Sequence, residues 1–135
     1  MDNSWVFDLE NIIFTKVKKV VSDELSGKYP KLNFTMTDNS SGTPVFPCVY
    51  IHELPGVERG GDLENKSINA VLYSMQIDVF ANSSQSDAKR VMRSVVLAFK
   101  ELGFTIYQMP EFKNESTVFR QVVRVRRLIG NGDFL

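Results

Sequence analysis

The chain has one cysteine and one histidine, Cys48 and His52, and these are the first residues to test for chemistry. They stand four apart in "CVYIHEL", which reads as a strand, so they share a face about 13 Å apart at the usual rise. An imidazole activates a thiol only within hydrogen-bond reach, ~3 Å, so this pair is not expected to act as nucleophile and base. One cysteine and one histidine cannot fill a structural zinc shell. Glu58, Asp62 and Glu64 share a polar stretch, but their spacing is not that of an EF-hand loop, and a solvated acidic loop is the reading. "GVERGGD" (56–62) has no Lys-Ser/Thr after its glycines and no strand–loop–helix context, so it suits flexibility better than phosphate binding. The expectation is no catalytic residue, no cofactor and no metal.

A second constellation is basic. "VFRQVVRVRRLIGNGDFL" (118–135) places Arg120, Arg124, Arg126 and Arg127 in a valine-rich segment. At strand period, Arg120, Arg124 and Arg126 project from one face. Three uses are open: a solvated strand face, an inter-subunit contact, or a contact to nucleic acid. Tyr107 and Phe112 would supply stacking for a single strand, but the basic-aromatic signatures of RNA-binding sheets are absent.

Bulk properties narrow these uses. The chain is 135 residues long, the size of one domain, and 43% hydrophobic, enough for an ordinary core. Its 16 basic and 16 acidic residues cancel, so the molecule as a whole has no pull on nucleic acid or anionic membrane. The charge is unevenly placed: residues 1–86 carry a net of −4 and residues 87–135 a net of +4. Such polarity suits head-to-tail association, a basic surface meeting an acidic one on the next copy. With one cysteine no intramolecular disulfide forms. The start "MDNSWVFDLENIIF" is acidic where a signal peptide is basic, and no apolar run nears the ~20 residues of a membrane span. A cytoplasmic protein with no membrane contact is expected.

These residues need a scaffold. Residues 4–26 read as a helix, capped by Asn3 or Ser4, with Leu9, Ile12, Ile13, Val17, Val20, Val21 and Leu25 as its apolar stripe. "LNFTMT" (32–37) and "CVYIHEL" (48–54) read as strands separated by a loop (38–47). Residues 55–69 read as an extended loop. "AVLYSMQIDVFA" (70–81) is the clearest strand. Val71, Tyr73, Met75, Ile77 and Val79 share its apolar face, and Ser74, Gln76 and Asp78 lie on a face that is wet or covered by a partner. Ser84 or Ser86 caps a second helix over 87–102, ended by Gly103. Strands at 104–109 and 117–129 follow, joined by a turn at 110–116. The class is α+β in a single domain over 1–135: a mostly antiparallel sheet of four to five strands with two amphipathic helices packed on one face.

The run "AVLYSMQIDVFANSSQSDAKRVMRSVVLAFKELGFTIYQMPEF" resembles the core of tail-terminator and tail-completion (head–tail joining, neck) proteins of tailed bacteriophages and prophages. The shared features are a strand with an "I-D-V-F-A" flavour, a Ser/Asp-rich turn, a helix ending in "L-G-F", a Pro-containing turn and a final Arg-bearing strand. The N-terminal helix and "FPCVYIHEL" fit as well. The resemblance implies a non-enzymatic structural protein that forms a ring, commonly hexameric. Such a ring caps the tail tube, ends its polymerisation and meets the head connector or the sheath. Its partners would be further copies of itself, the tail tube protein and the connector or sheath protein, and DNA would pass through the lumen without being read. Assembly would take place in the host cytoplasm, with the product in the virion tail or neck. From layout, contacts to a subunit or partner are expected from Val57, Glu58, Arg59, Asp62 and Glu64 in the loop, and from Asp78, Arg120, Arg124 and Arg126. The alternative is a small nucleic-acid-binding module using the basic last strand.

Overall fold

A computed structural model of the chain describes residues 3–37, 45–61, 66–115 and 117–135. The N-terminal helix opens as a 3-10 turn, Ser4–Asp8, and continues as α1, Leu9–Leu25. Leu9, Ile13, Val17, Val21 and Leu25 are buried, a single row at four-residue spacing. Ile12 and Val20, expected in the same stripe, are instead exposed. One row suffices because α1 packs chiefly against α2, which itself lies on β3 and β5, and meets the sheet mainly at β2. Asn3 makes no cap; its side chain holds Lys66 O and Ile68 N–H and fixes the turn against the segment before β3.

α2, Gln85–Glu101, starts on Ser84, whose hydroxyl accepts the Asp87 N–H at 3.1 Å. It ends in a Schellman turn: Gly103 N–H bonds Lys100 O, Phe104 N–H bonds Phe99 O, and Gly103 sits at φ +84°. The apolar contact that accompanies such a turn is present, with Phe104 edge-on to Phe99 at 5.2 Å. Arg127 Nη1 adds a bond to Leu102 O, a cation at the negative end of the helix. The two helices are tied by Ser94, whose hydroxyl donates to Glu24.

The strands are β1 (Asn33–Thr35), β2 (Cys48–Arg59), β3 (Ala70–Ala81), β4 (Thr105–Phe112) and β5 (Phe119–Gly130). They form one sheet in the order β1-β2-β3-β5-β4. β1 runs parallel to β2, and all other neighbours are antiparallel. This is the α+β class expected from the sequence. Val49 and Ile51 of β2, the odd-numbered residues of β3 from Val71 to Val79, and Val123, Val125 and Ile129 of β5 join the helices in one core. Both helices therefore cover the same side of the sheet.

The extended loop expected over 55–69 is shorter than that. β2 continues through Arg59, pairing Val57, Glu58 and Arg59 with Leu72, Val71 and Ala70. Pro-Gly reads as a turn in sequence, but here Pro55 and Gly56 occupy a bulge between Leu54 and Val57. A bulge tolerates a residue without an N–H and favours one without a Cβ. A Cβ on Gly56 would stand 3.0 Å from Leu72 O. β4 likewise runs past the expected turn to Phe112, with irregular register around Tyr107 and again before Glu111.

Candidate interaction face

Among the described residues, no helix covers the second side of the sheet. Cross-strand neighbours share a face, so the register arranges this side in rows across β2, β3 and β5. At one end stand Arg59, Ala70 and Gly130, then Val57, Leu72 and Leu128, then Leu54, Ser74 and Arg126, then His52, Gln76 and Arg124. Tyr50, Asp78 and Val122 follow, and Cys48, Phe80 and Arg120 complete the face.

The face divides by chemistry. The row of Val57, Leu72 and Leu128 is apolar and open, with Val57 46% and Leu128 57% exposed. The far rows are an internal polar network. Asp78, expected on a wet or partner-covered face, is only 2% exposed. Its Oδ2 accepts from Arg120 Nη2 at 2.7 Å and Nε at 3.1 Å, and its Oδ1 accepts from Gln76 Nε2 at 3.0 Å. Arg120 also reaches Glu115 at 3.3 Å and lies over the Phe80 ring. His52 Nε2 is 4.0 Å from Asp78 Oδ1, and the His52 ring stacks on Tyr50 with centroids 4.2 Å apart. Burying the carboxylate is possible because a guanidinium and an amide compensate for its lost water.

The three arginines therefore have different roles. Arg120 is committed inside its own chain. Arg124, half-buried, gives its Nε to Gln76 Oε1 at 3.0 Å. Arg126 lies over the Tyr107 ring at 5.0 Å, so its flat side is covered while its N–H edge is presented. Among the described residues neither Arg124 nor Arg126 has a carboxylate in salt-bridge reach. Of the other expected contact residues, Val57 lies on the open face of the β2–β3 arm. Glu58 and Arg59 are exposed at the arm's end, and Asp62 and Glu64 lie outside the described residues.

Two features of this region were not legible in the sequence. One is the intrachain Asp78–Arg120 pair, joining residues 42 positions apart. The other is a small cleft on the helix side of the same end of the sheet, lined by Val6, Phe7, Glu10, Glu53, Leu54, Gly56, Val71 and Tyr73, with a volume of about 170 Å³. There Glu10 Oε2 accepts the Glu53 N–H at 3.2 Å, and Glu53 Oε2 accepts the Tyr73 hydroxyl at 2.6 Å. Burial, then the hydrogen bond to Glu53 and the charges of Glu53 and Glu10, push the Tyr73 phenol far above its ordinary value.

Elsewhere the titratable groups read as structural. Burial raises the Cys48 thiol, which disfavours the reactive thiolate. Asp87 is held below the usual carboxylate range by hydrogen bonds, first from Ser83 and then from Tyr29, against the opposing effect of burial. Tyr29 is raised by burial and by its bond to Asp87, and its hydroxyl also accepts from Arg90 at 3.2 Å. Among the described residues no group of three His, Cys, Asp or Glu side chains could hold a metal ion, and no helix is long and apolar enough to cross a membrane. No protein-family model matches the chain, and no curated protein matches it.

Proposed function

We propose that this chain is a structural assembly protein of the phage tail-terminator type: it forms a ring, hexameric by resemblance, that caps a tail tube and joins it to the head connector or the sheath. The observation that carries the reading is the composition of the helix-free sheet face. Across β2, β3 and β5 that face has four arginines (Arg59, Arg120, Arg124 and Arg126), aromatic rings and an open apolar row, and no lysine, in a chain with nine lysines and seven arginines. Lysines stand instead along the helices, at Lys16, Lys18, Lys19, Lys89 and Lys100. Arginine and aromatic enrichment with lysine depletion is the composition of protein–protein contact surfaces. A solvated face would be expected to carry lysine, and a non-specific nucleic-acid face would use both cations.

One observation favours the second reading, a single-stranded nucleic-acid contact. Tyr50, His52 and Tyr107 place rings beside Arg124 and Arg126, as a stacking platform would. Yet Tyr50 and His52 stack on each other, and Arg120 is neutralised by Asp78. The face is thus left with three guanidinium groups, those of Arg59, Arg124 and Arg126, that no carboxylate among the described residues neutralises, few for a backbone-tracking groove.

Sedimentation and electron microscopy of the purified chain, alone and with tail tubes, test the assembly reading. Rings, or caps on tube ends, are expected, and Arg124→Glu with Arg126→Glu should abolish them without unfolding the domain. A chain that stays monomeric and ignores tubes refutes the reading. Tight oligonucleotide binding at physiological salt, lost in the same variant, would replace it with the second.

A further inference from the structure

The cleft between the 3-10 turn and the β2 bulge has no role in the fold just described. Its two carboxylates accept a backbone N–H and a phenol hydroxyl, and among the described residues no cation comes within salt-bridge distance of either. At about 170 Å³ it is smaller than a cofactor or drug-sized site and is sized for one long side chain. Val6 and Val71 give it apolar walls, and Phe7 stands on its rim 79% exposed. Apolar walls with carboxylates in the lining suit an arginine, whose stem is greasy and whose head is a cation.

The same molecule presents the complement on its other side. Arg126 is outward, oriented by Tyr107 and without a carboxylate partner among the described residues. Leu128, two residues on along the same face, is open and flanked by Leu72. Residues i and i+2 of a strand lie roughly 7 Å apart. Phe7 and Glu10, three apart where the turn enters α1, are separated by a similar ~5–6 Å. A cation beside an apolar row thus faces an anion beside an apolar ring, at matching spacing.

We propose that the helix-free sheet face of one copy docks head-to-tail on the cleft of the next, with Arg126 entering between Glu10 and Glu53 while Phe7 covers Leu128 and Leu72. The occupant is a second copy of this chain, and the proposal rests on the assembly reading. The contact is heterologous: each copy uses its face once and its cleft once, and such contacts close into rings when the rotation permits. It also joins the basic C-terminal part of one copy to the acidic N-terminal part of another, which explains how a neutral chain can be strongly polar.

Charge exchange tests it. In the full-length chain, Arg126→Glu and Glu10→Arg should each weaken self-association by about tenfold or more, measured by sedimentation, with circular dichroism unchanged. Mixing the two variants should restore assembly. When they alternate, every second contact pairs the introduced glutamate with the introduced arginine, and the contacts between are native. Phe7→Asp, at a side chain the fold does not use, should weaken association without affecting stability. A wild-type chain that associates while all three variants associate equally well refutes this interface and leaves the assembly reading standing. Variants that weaken association but fail to recover on mixing also refute it. A wild-type chain that remains monomeric with or without tail tubes refutes both.

Discussion

Replacing Arg120 by alanine removes both donors from Asp78 Oδ2 and leaves a carboxylate that is 2% exposed with only the Gln76 amide and the neighbouring His52 ring. Losing one partner of a fully buried pair costs about 3–5 kcal/mol, because the other charge stays desolvated. Here the arginine side chain is 24% exposed, so water entering the vacated space would solvate part of the carboxylate. A cost of about 2–3 kcal/mol follows, at or below the low end of that range. In a domain of this size that lowers the melting temperature by roughly 10 °C. Urea denaturation measures the free energy directly. Asp78→Asn should cost less, about 1 kcal/mol, since the guanidinium keeps Glu115 and water. Added to Asp78→Asn, Arg120→Ala should cost far less than it does alone. A loss below about 1 kcal/mol for Arg120→Ala, or strict additivity in the double variant, would refute the argument that the pair acts as a unit. The result also governs the interface experiments: reversing all three arginines together would confuse folding with association, whereas Arg124 and Arg126 can be reversed alone.

Three further outcomes are expected. Gly56→Ala pushes a Cβ to 3.0 Å from Leu72 O and 3.1 Å from Val71 Cγ2. It should cost about 1–3 kcal/mol and reduce hydrogen-exchange protection across the 57–72 pairing, whereas unchanged protection would show that the bulge relaxes freely. Phe104→Ala removes the ring that closes the α2 Schellman turn and should cost about 3–5 kcal/mol by urea denaturation. Asp87 has a depressed folded-state pKa, so its contribution is present above the ordinary carboxylate range near pH 4 and is lost as pH falls through and below it. Asp87→Asn should therefore be less stable than wild type at neutral pH and lose less stability on acidification, and parallel pH profiles would count against the hydrogen-bond account.

Most of the fold was legible because its signals are local. The alternation in 70–81, the serine before α2 and the glycine after it each fix geometry within a few residues. The errors fall where one local signal has two structural solutions. Pro55-Gly56 satisfies a turn and a bulge equally, and only the Val57–Leu72 register on the neighbouring strand decides between them. Ile12 and Val20 fit the helical period, but how wide a stripe is buried depends on what packs against α1. The candidate face was half legible: alternation places Arg120, Arg124 and Arg126 together, yet nothing in the sequence shows that Asp78 of β3 lies within reach of Arg120 of β5. The Glu10–Glu53 cleft was invisible for the same reason, since its walls come from the 3-10 turn, α1, β2 and β3.

The split within the arginine row bears on why a sheet face would mix buried ion pairs with open cations. An apolar face on a five-stranded sheet would associate with anything, itself included, in many registers. Asp78 and Arg120 give specificity at a different level: their geometry holds β3 and β5 in one register, which in turn fixes where Arg124, Arg126 and Leu128 stand relative to one another. On the assembly reading, that spacing is what a neighbouring copy recognises. A single exposed ion pair supplies only ~0.2–1 kcal/mol, so recognition must combine the arginine with the apolar row beside it. Loss of either element alone should then weaken association and leave the domain folded, whereas loss of Asp78 or Arg120 should do damage first to the fold and only through it to the contact. The order in which stability and association fail across Leu128→Ser, Arg126→Ala and Arg120→Ala distinguishes these roles: the first two should separate the measurements and the third should not.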